Sequence, residues 1–155
     1  MLQKYEFCLA IHEDKLVWCR GPFEASCHDM TVFRGGKKDK KVKIAVQMMN
    51  WDQNALYFKL KKCQKLVGDS GYSGEPNKII VTSDNHPKEM KKWLARVKSR
   101  GETLHTLLKS YNILGNRFRH GKNTRDKMDM HQMVVEAICV IVQYGYENCH
   151  PPFNA

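Results

Sequence analysis

The chain has 155 residues, 42% hydrophobic and 27% charged, and its 26 Lys and Arg against 16 Asp and Glu give a formal net charge of +10. Such a composition fits one globular domain that buries a core without staples, and it argues against a disordered segment. The positive field favours polyanionic partners, nucleic acid first. No stretch approaches the ~20 apolar residues needed to span a bilayer, and the charge-interrupted start "MLQKYEFCLAIHEDK" does not read as a signal peptide.

In chain order, Tyr5, Phe7, Leu9 and Ile11 alternate with Glu6, Cys8, Ala10 and His12, the pattern of a half-buried strand. "HEDK" is a turn and Leu16 to Cys19 a second strand, so residues 4–20 read as a β-hairpin ended by Gly21-Pro22. Asp29 to Arg34 reads as a helical turn. A lysine-rich loop (Lys37, Lys38, Lys40, Lys41, Lys43) follows, and from Asn50 as N-cap the segment "WDQNALYFKLKK" suits a short helix. Cys63 to Gly68 reads as a strand delivering Asp69 into "GDSGYSG", and Lys78 to Thr82 as a further strand. Residues 86–111 and 127–146 follow the helical period, with the basic loop "NILGNRFRHGKNTRDK" between them. Strands first and helices later predict a layered α/β or α+β domain.

The six cysteines form no CxxC pair, so they read as reduced, partly buried thiols of an intracellular protein. A zinc site from Cys27, His28, Cys149 and His150 lacks the two closely spaced ligand pairs usual for structural zinc.

On the helix of residues 88–111, Met90, Trp93, Leu94, Val97, Gly101, Leu104, Leu108 and Tyr111 gather on one side at about 100° per residue. Glu102 falls off that stripe, in the sector of Lys91, Lys98, His105 and Lys109. Taken alone, Glu102 is an ordinary exposed glutamate and Asp69 an ordinary turn-former. Together with their contexts they say more. "GDSGYSG", followed by "RVKSRGETLHTLLKSYNILGNRFRHG", resembles the DDE superfamily endonuclease domain of eukaryotic Harbinger-like transposases. The family has an Asp-x-Gly-Tyr segment after a strand, then an Arg-x-Glu-Thr helix leading through a lysine to a Phe-Arg-His run. Here these fall at Asp69, Gly71 and Tyr72, and at Arg100, Glu102, Thr103, Lys109, Arg117, Phe118, Arg119 and His120. "LVWCRGPFEASCHDMTVFR" and "VVEAICVIVQYGYENCHPPF" are similar to the family's opening and closing segments, which carries the resemblance from about Tyr5 to Phe153.

The resemblance implies a ribonuclease-H-like mixed sheet flanked by helices, and divalent-metal-dependent cleavage and strand transfer on DNA. In that chemistry three carboxylates hold two Mg²⁺ (or Mn²⁺) ions roughly 4 Å apart, because these hard cations take oxygen ligands. Asp69 would be the second carboxylate and Glu102 the third, with Arg100, Lys109, Arg117, Arg119 and His120 contacting nucleic acid. His105 departs from the asparagine often found there. The first family carboxylate belongs to a strand upstream of the hairpin, and Met1 stands only three residues before that hairpin. Asp14 lies in the hairpin turn, and Asp29 matches a different, non-catalytic aspartate. Residues 1–155 are therefore expected to form a single transposase-derived domain, incomplete at the N-terminus, lacking its first strand and impaired in catalysis. The alternative is a non-catalytic basic nucleic-acid-binding module. Either reading implies a DNA partner, no membrane and a nuclear location, with an oligomer or an accessory DNA-binding protein left open.

Overall fold

The computed structural model describes residues 3–116 and 118–148. In chain order, strands β1 (Gln3–Leu9) and β2 (Leu16–Glu24) precede helices α1 (Asp29–Arg34), α2 (Ile44–Met49) and α3 (Leu56–Lys59). Strand β3 (Leu66–Gly68), a 3₁₀ turn (Ser70–Tyr72) and strand β4 (Ile79–Val81) follow. Helices α4 (Lys88–Ser110), α5 (Asn112–Gly115) and α6 (Thr124–Glu147) complete the order. The elements divide into two compact units, one of Met1–Ala25 with Ser99–Ala155 and the other of Ser26–Lys98.

In the first unit, β1 and β2 form the expected antiparallel hairpin, with Phe7 opposite Cys19 and Leu9 opposite Leu16. The period-2 pattern turns Phe7, Leu9 and Leu16 toward a core of Leu104 and Leu108 from α4 and Ile138, Val142 and Tyr146 from α6. Those helical residues recur every four positions, which is the spacing that keeps one face inward. Leu16 N–H donates to Gln143 Oε1 (2.8 Å) and fastens β2 to α6. The hairpin turn is held from α4, where Arg100 donates to the carbonyls of Ile11 and Glu13 and pairs with the Asp14 carboxylate at 3.0 Å.

Gly21-Pro22 does not end the second strand as expected, because β2 continues to Glu24. The ladder shifts between the pairs Lys4↔Phe23 and Glu6↔Arg20, so Gly21 and Pro22 both face Tyr5. A bulge tolerates a proline that has no N–H to donate. Residue 21 must be glycine there, since a Cβ would stand 2.5 Å from Tyr5 Cδ1.

In the second unit, α1 appears where the sequence placed it, with Met30, Val32 and Phe33 buried. The Phe33 ring meets Tyr57 and Tyr72 edge-on, at centroid distances of 5.7 and 6.5 Å. Arg34 and Glu75 form a largely buried ion pair at 2.8 Å. β3 and β4 pair in parallel, Leu66 with Ile79 and Gly68 with Val81. The paired strand is shorter than the predicted Cys63 to Gly68, because residues 61–64 close a turn instead (Gln64 N–H to Lys61 O, 3.0 Å).

Asn50 is not an N-cap. It closes α2, a helix the sequence reading did not foresee, and the next helix begins only at Leu56. Tertiary bonds explain both. Buried Gln47 bonds the Asp39 and Val42 carbonyls and accepts from Asp39 N–H, which organises the lysine loop before α2. Asp52 N–H donates to Gly35 O (2.9 Å) and its carboxylate accepts from Asn54 N–H (2.8 Å), so these residues are held in a turn.

The mixed α/β class is as expected. Its strands, among the described residues, form two separate two-stranded sheets, one antiparallel and one parallel.

Truncating Leu104, 1% exposed, to alanine should lower unfolding free energy by about 2–5 kcal/mol. Met133→Ala, at a side chain 68% exposed, should change it by no more than about 0.5 kcal/mol in the same urea titration.

Candidate active site and basic surface

Asp69 stands directly past the C-terminal end of β3, in extended backbone. Its carboxylate accepts from Gly71 N–H (Oδ1, 2.9 Å) and so caps the 3₁₀ turn that follows. The turn-forming explanation of this residue is therefore true. It is also incomplete, since the side chain is exposed and Oδ2 has no protein hydrogen-bond partner among the described residues. A side chain fixed through one oxygen and open at the other is oriented before any ligand arrives.

A second carboxylate reaches the same place. A Cβ built on Gly71 would lie 2.8 Å from Asp29 Oδ2 and 3.1 Å from Asp69 Oδ1, so the missing side chain lets both carboxylates border one backbone position. Asp29 is the first residue of α1, whose N-cap is His28 accepting from Met30 N–H (3.2 Å). The sequence reading set Asp29 apart as a non-catalytic position. Its placement against Gly71 is a tertiary fact, and the one hint in the sequence is the glycine that follows Asp69 by two.

Glu102 projects from α4 in the other unit and is exposed, as its place off the apolar stripe implied. The segment is ordinary helix, with the Thr106 hydroxyl donating back to Glu102 O (3.0 Å). Burial and the Lys109 charge hold His105 below the usual imidazole value, and Glu102 opposes them in part. The His105 ring meets the Phe7 edge at 6.1 Å.

The predicted basic contacts fall into different environments. Arg100 is engaged with the hairpin turn. Lys109, Arg119 and His120 are exposed, as are Lys122 and Arg125, and Arg117 lies outside the described residues. Phe118 sits edge-on between His120 (5.3 Å) and His131 (4.9 Å). The Tyr5 hydroxyl and His131 Nδ1 are 2.7 Å apart. Burial keeps His131 below the ordinary imidazole value and raises the Tyr5 phenol, so the contact favours the neutral form of both groups. Of the zinc candidates, Cys149 and His150 lie outside the described residues.

Asp69 and Asp29 bring carboxylate oxygens, the donor type a hard divalent cation takes, beside the Gly71 backbone. The described residues contain no group of three or more His, Cys, Asp or Glu placed to hold a metal ion.

A DDE superfamily endonuclease family matches residues 7–143. The chain belongs to this family. No curated protein and no solved structure matches it. Membership implies transposase-derived nuclease activity, and DDE endonucleases generally use divalent metal ions. The matched region contains Asp29, Asp69, Glu102 and every candidate basic contact. No helix among the described residues is long and apolar enough to cross a membrane.

The half-buried His131 gives this chain a pH-dependent stability. Unfolded, it takes up a proton near pH 6.5; folded, it does so only at lower pH, so the unfolded chain binds more protons in between. Its contribution is complete above about pH 6.5 and is lost as pH falls toward the folded value. The urea midpoint should drop between about pH 7.5 and about pH 5.5, and less steeply in His131→Asn. An unchanged pH dependence in that variant would remove His131 from the account.

Replacing Gly71 with alanine should dislodge the carboxylate pair while leaving the cores in place. The expected signature is a changed Asp69 and Tyr72 environment in nitrogen–proton spectra, without global unfolding.

Proposed function

We propose that this chain supplies Asp69 and Glu102 as metal-binding carboxylates of a Harbinger-like transposase centre. It would cleave and transfer DNA phosphodiesters with Mg²⁺ or Mn²⁺, on a ribonuclease-H-like frame and in the nucleus. The observation that carries the reading is Asp69 at the end of a parallel strand, with Oδ1 tied to Gly71 and Oδ2 open. Family membership supports the reaction class. When bound, divalent ions activate the attacking hydroxyl and stabilise the leaving oxygen.

The chain's own contribution is orientation and charge. The capped turn fixes the Asp69 carboxylate, and the rigid helix α4 fixes the direction from which Glu102 projects. Lys109, Arg119 and His120 bring hydrogen-bond donors to phosphate oxygens. Arg100 acts one step back, by holding the hairpin turn to α4. Residues 1–155 hold the second and third carboxylates of the family pattern.

Supercoiled plasmid incubated with Mg²⁺ or Mn²⁺ tests the assignment. Nicking should be lost on chelation with EDTA and in both Asp69→Asn and Glu102→Gln. Nicking that persists unchanged in both variants would remove them from the centre.

A second reading, a nucleic-acid-binding module without catalysis, draws on the exposed Lys109, Arg119, Lys122 and Arg125 and the net charge of +10. Duplex affinity should then fall steeply with salt, and Lys109→Ala or Arg119→Ala should each reduce the slope of log K against log salt by about one. Affinity that does not respond to salt would contradict it.

A further inference from the structure

Cys19 lies on β2 and Cys139 on α6, 120 positions apart in sequence, with their sulfurs 3.7 Å apart. The placement follows from the hairpin's alternation. Cys19 pairs with Phe7, whose ring packs on the α4–α6 core, whereas Cys8 pairs with Trp18 and takes the other face. Burial and the Glu6 carboxylate push the Cys8 thiol up to about 12, which leaves it inert toward oxidants.

We propose that Cys19 and Cys139 form a redox-modification site, a dithiol that peroxide oxidants convert into an intramolecular disulfide clamping the hairpin to α6. Two observations support it besides the distance. Cys139 is buried and Cys19 half-buried, and both line a groove of about 440 Å³ with Leu16, Val17, Val140 and Tyr144, which is the route a small oxidant would take. The S–H···S contact, with Cys139 Sγ donating toward Cys19 Sγ, couples the two thiols, so that a thiolate formed on one is held by the S–H of the other.

The chemistry balances with hydrogen peroxide as the oxidant. One thiolate of the pair attacks one peroxide oxygen, the O–O bond breaks, and the proton that thiol gave up joins the departing hydroxide, giving water and a sulfenic acid. The partner sulfur then attacks the sulfenic sulfur and the S–O bond breaks. The second water leaves with the partner thiol's proton. In total two thiols lose two electrons and two protons, and one peroxide becomes two waters. This inference is independent of the nuclease reading.

The test uses the full reduced chain, treated with one equivalent of hydrogen peroxide and mapped by alkylation and peptide mass spectrometry. Two of the six thiols should disappear, the Cys19 and Cys139 peptides should be joined, and dithiothreitol should release them. Alkylation of both residues should slow at least about tenfold after peroxide and recover on reduction. Cys63→Ser, which removes the exposed thiol, should keep the internal link, and Cys139→Ser should abolish it. The proposal is overturned if Cys19 and Cys139 stay fully alkylatable after peroxide. It is equally overturned if the products are only Cys63-linked dimers, or if Cys139 passes to sulfinic acid without joining Cys19. The wild-type mapping decides the matter even if a cysteine variant folds poorly.

Discussion

The hydrogen bond from Gly71 N–H to the Asp69 carboxylate is the constraint on which the candidate site depends. It ends β3, starts the 3₁₀ turn and leaves one carboxylate oxygen outward. It also explains why position 71 carries no side chain. A Cβ would strike Asp29 Oδ2 from one side and Asp69 Oδ1 from the other. Gly68, the last paired residue of β3, is crowded by Tyr72 in the same way, at 2.9 Å from its Cβ. Gly68 and Gly71 of "GDSGYSG" are therefore spaces that let a carboxylate, a turn and an aromatic ring crowd onto a strand end. Structural and chemical explanations of Asp69 do not compete, because the bond that makes the turn also aims the side chain.

Much of the architecture was legible where a single period governed the residues. The hairpin showed in the alternation of Tyr5, Phe7 and Leu9, and α4 and α6 showed in apolar residues recurring every three or four positions. Leu94, Leu104 and Leu108 are buried as that stripe requires, whereas Trp93 is 39% exposed at its margin. Elements held by tertiary bonds were not legible. α2 exposes Ile44, Val46 and Met49, and its organising residue is a buried glutamine whose partners lie outside the helix. The start of α3 depends on Asp52 bonding back to Gly35, which local propensity does not register.

The same division holds in the candidate site. Asp69 and Glu102 could be singled out because each sits in a distinctive local run of residues. Asp29 could not be joined to Asp69 by any linear spacing, since α1 and the turn meet only in the folded unit. Arg100 reads from sequence as one more cation before Glu102; only the folded hairpin shows it capping the turn carbonyls of residues 11 and 13. The positive charge thus divides between arginines built into the structure, Arg34 and Arg100, and exposed residues such as Lys109 and Arg119. The second group remains available to a polyanion.

The central claim is that the Asp69 carboxylate holds a divalent cation. The most direct measurement is the broadening of backbone amide resonances by paramagnetic Mn²⁺. The account predicts that Mn²⁺ selectively broadens Gly71 and its neighbours in the unmodified chain, and that Asp69→Asn removes the effect with the rest of the spectrum intact. Equal broadening in the two proteins, or none at Gly71 in either, would contradict it.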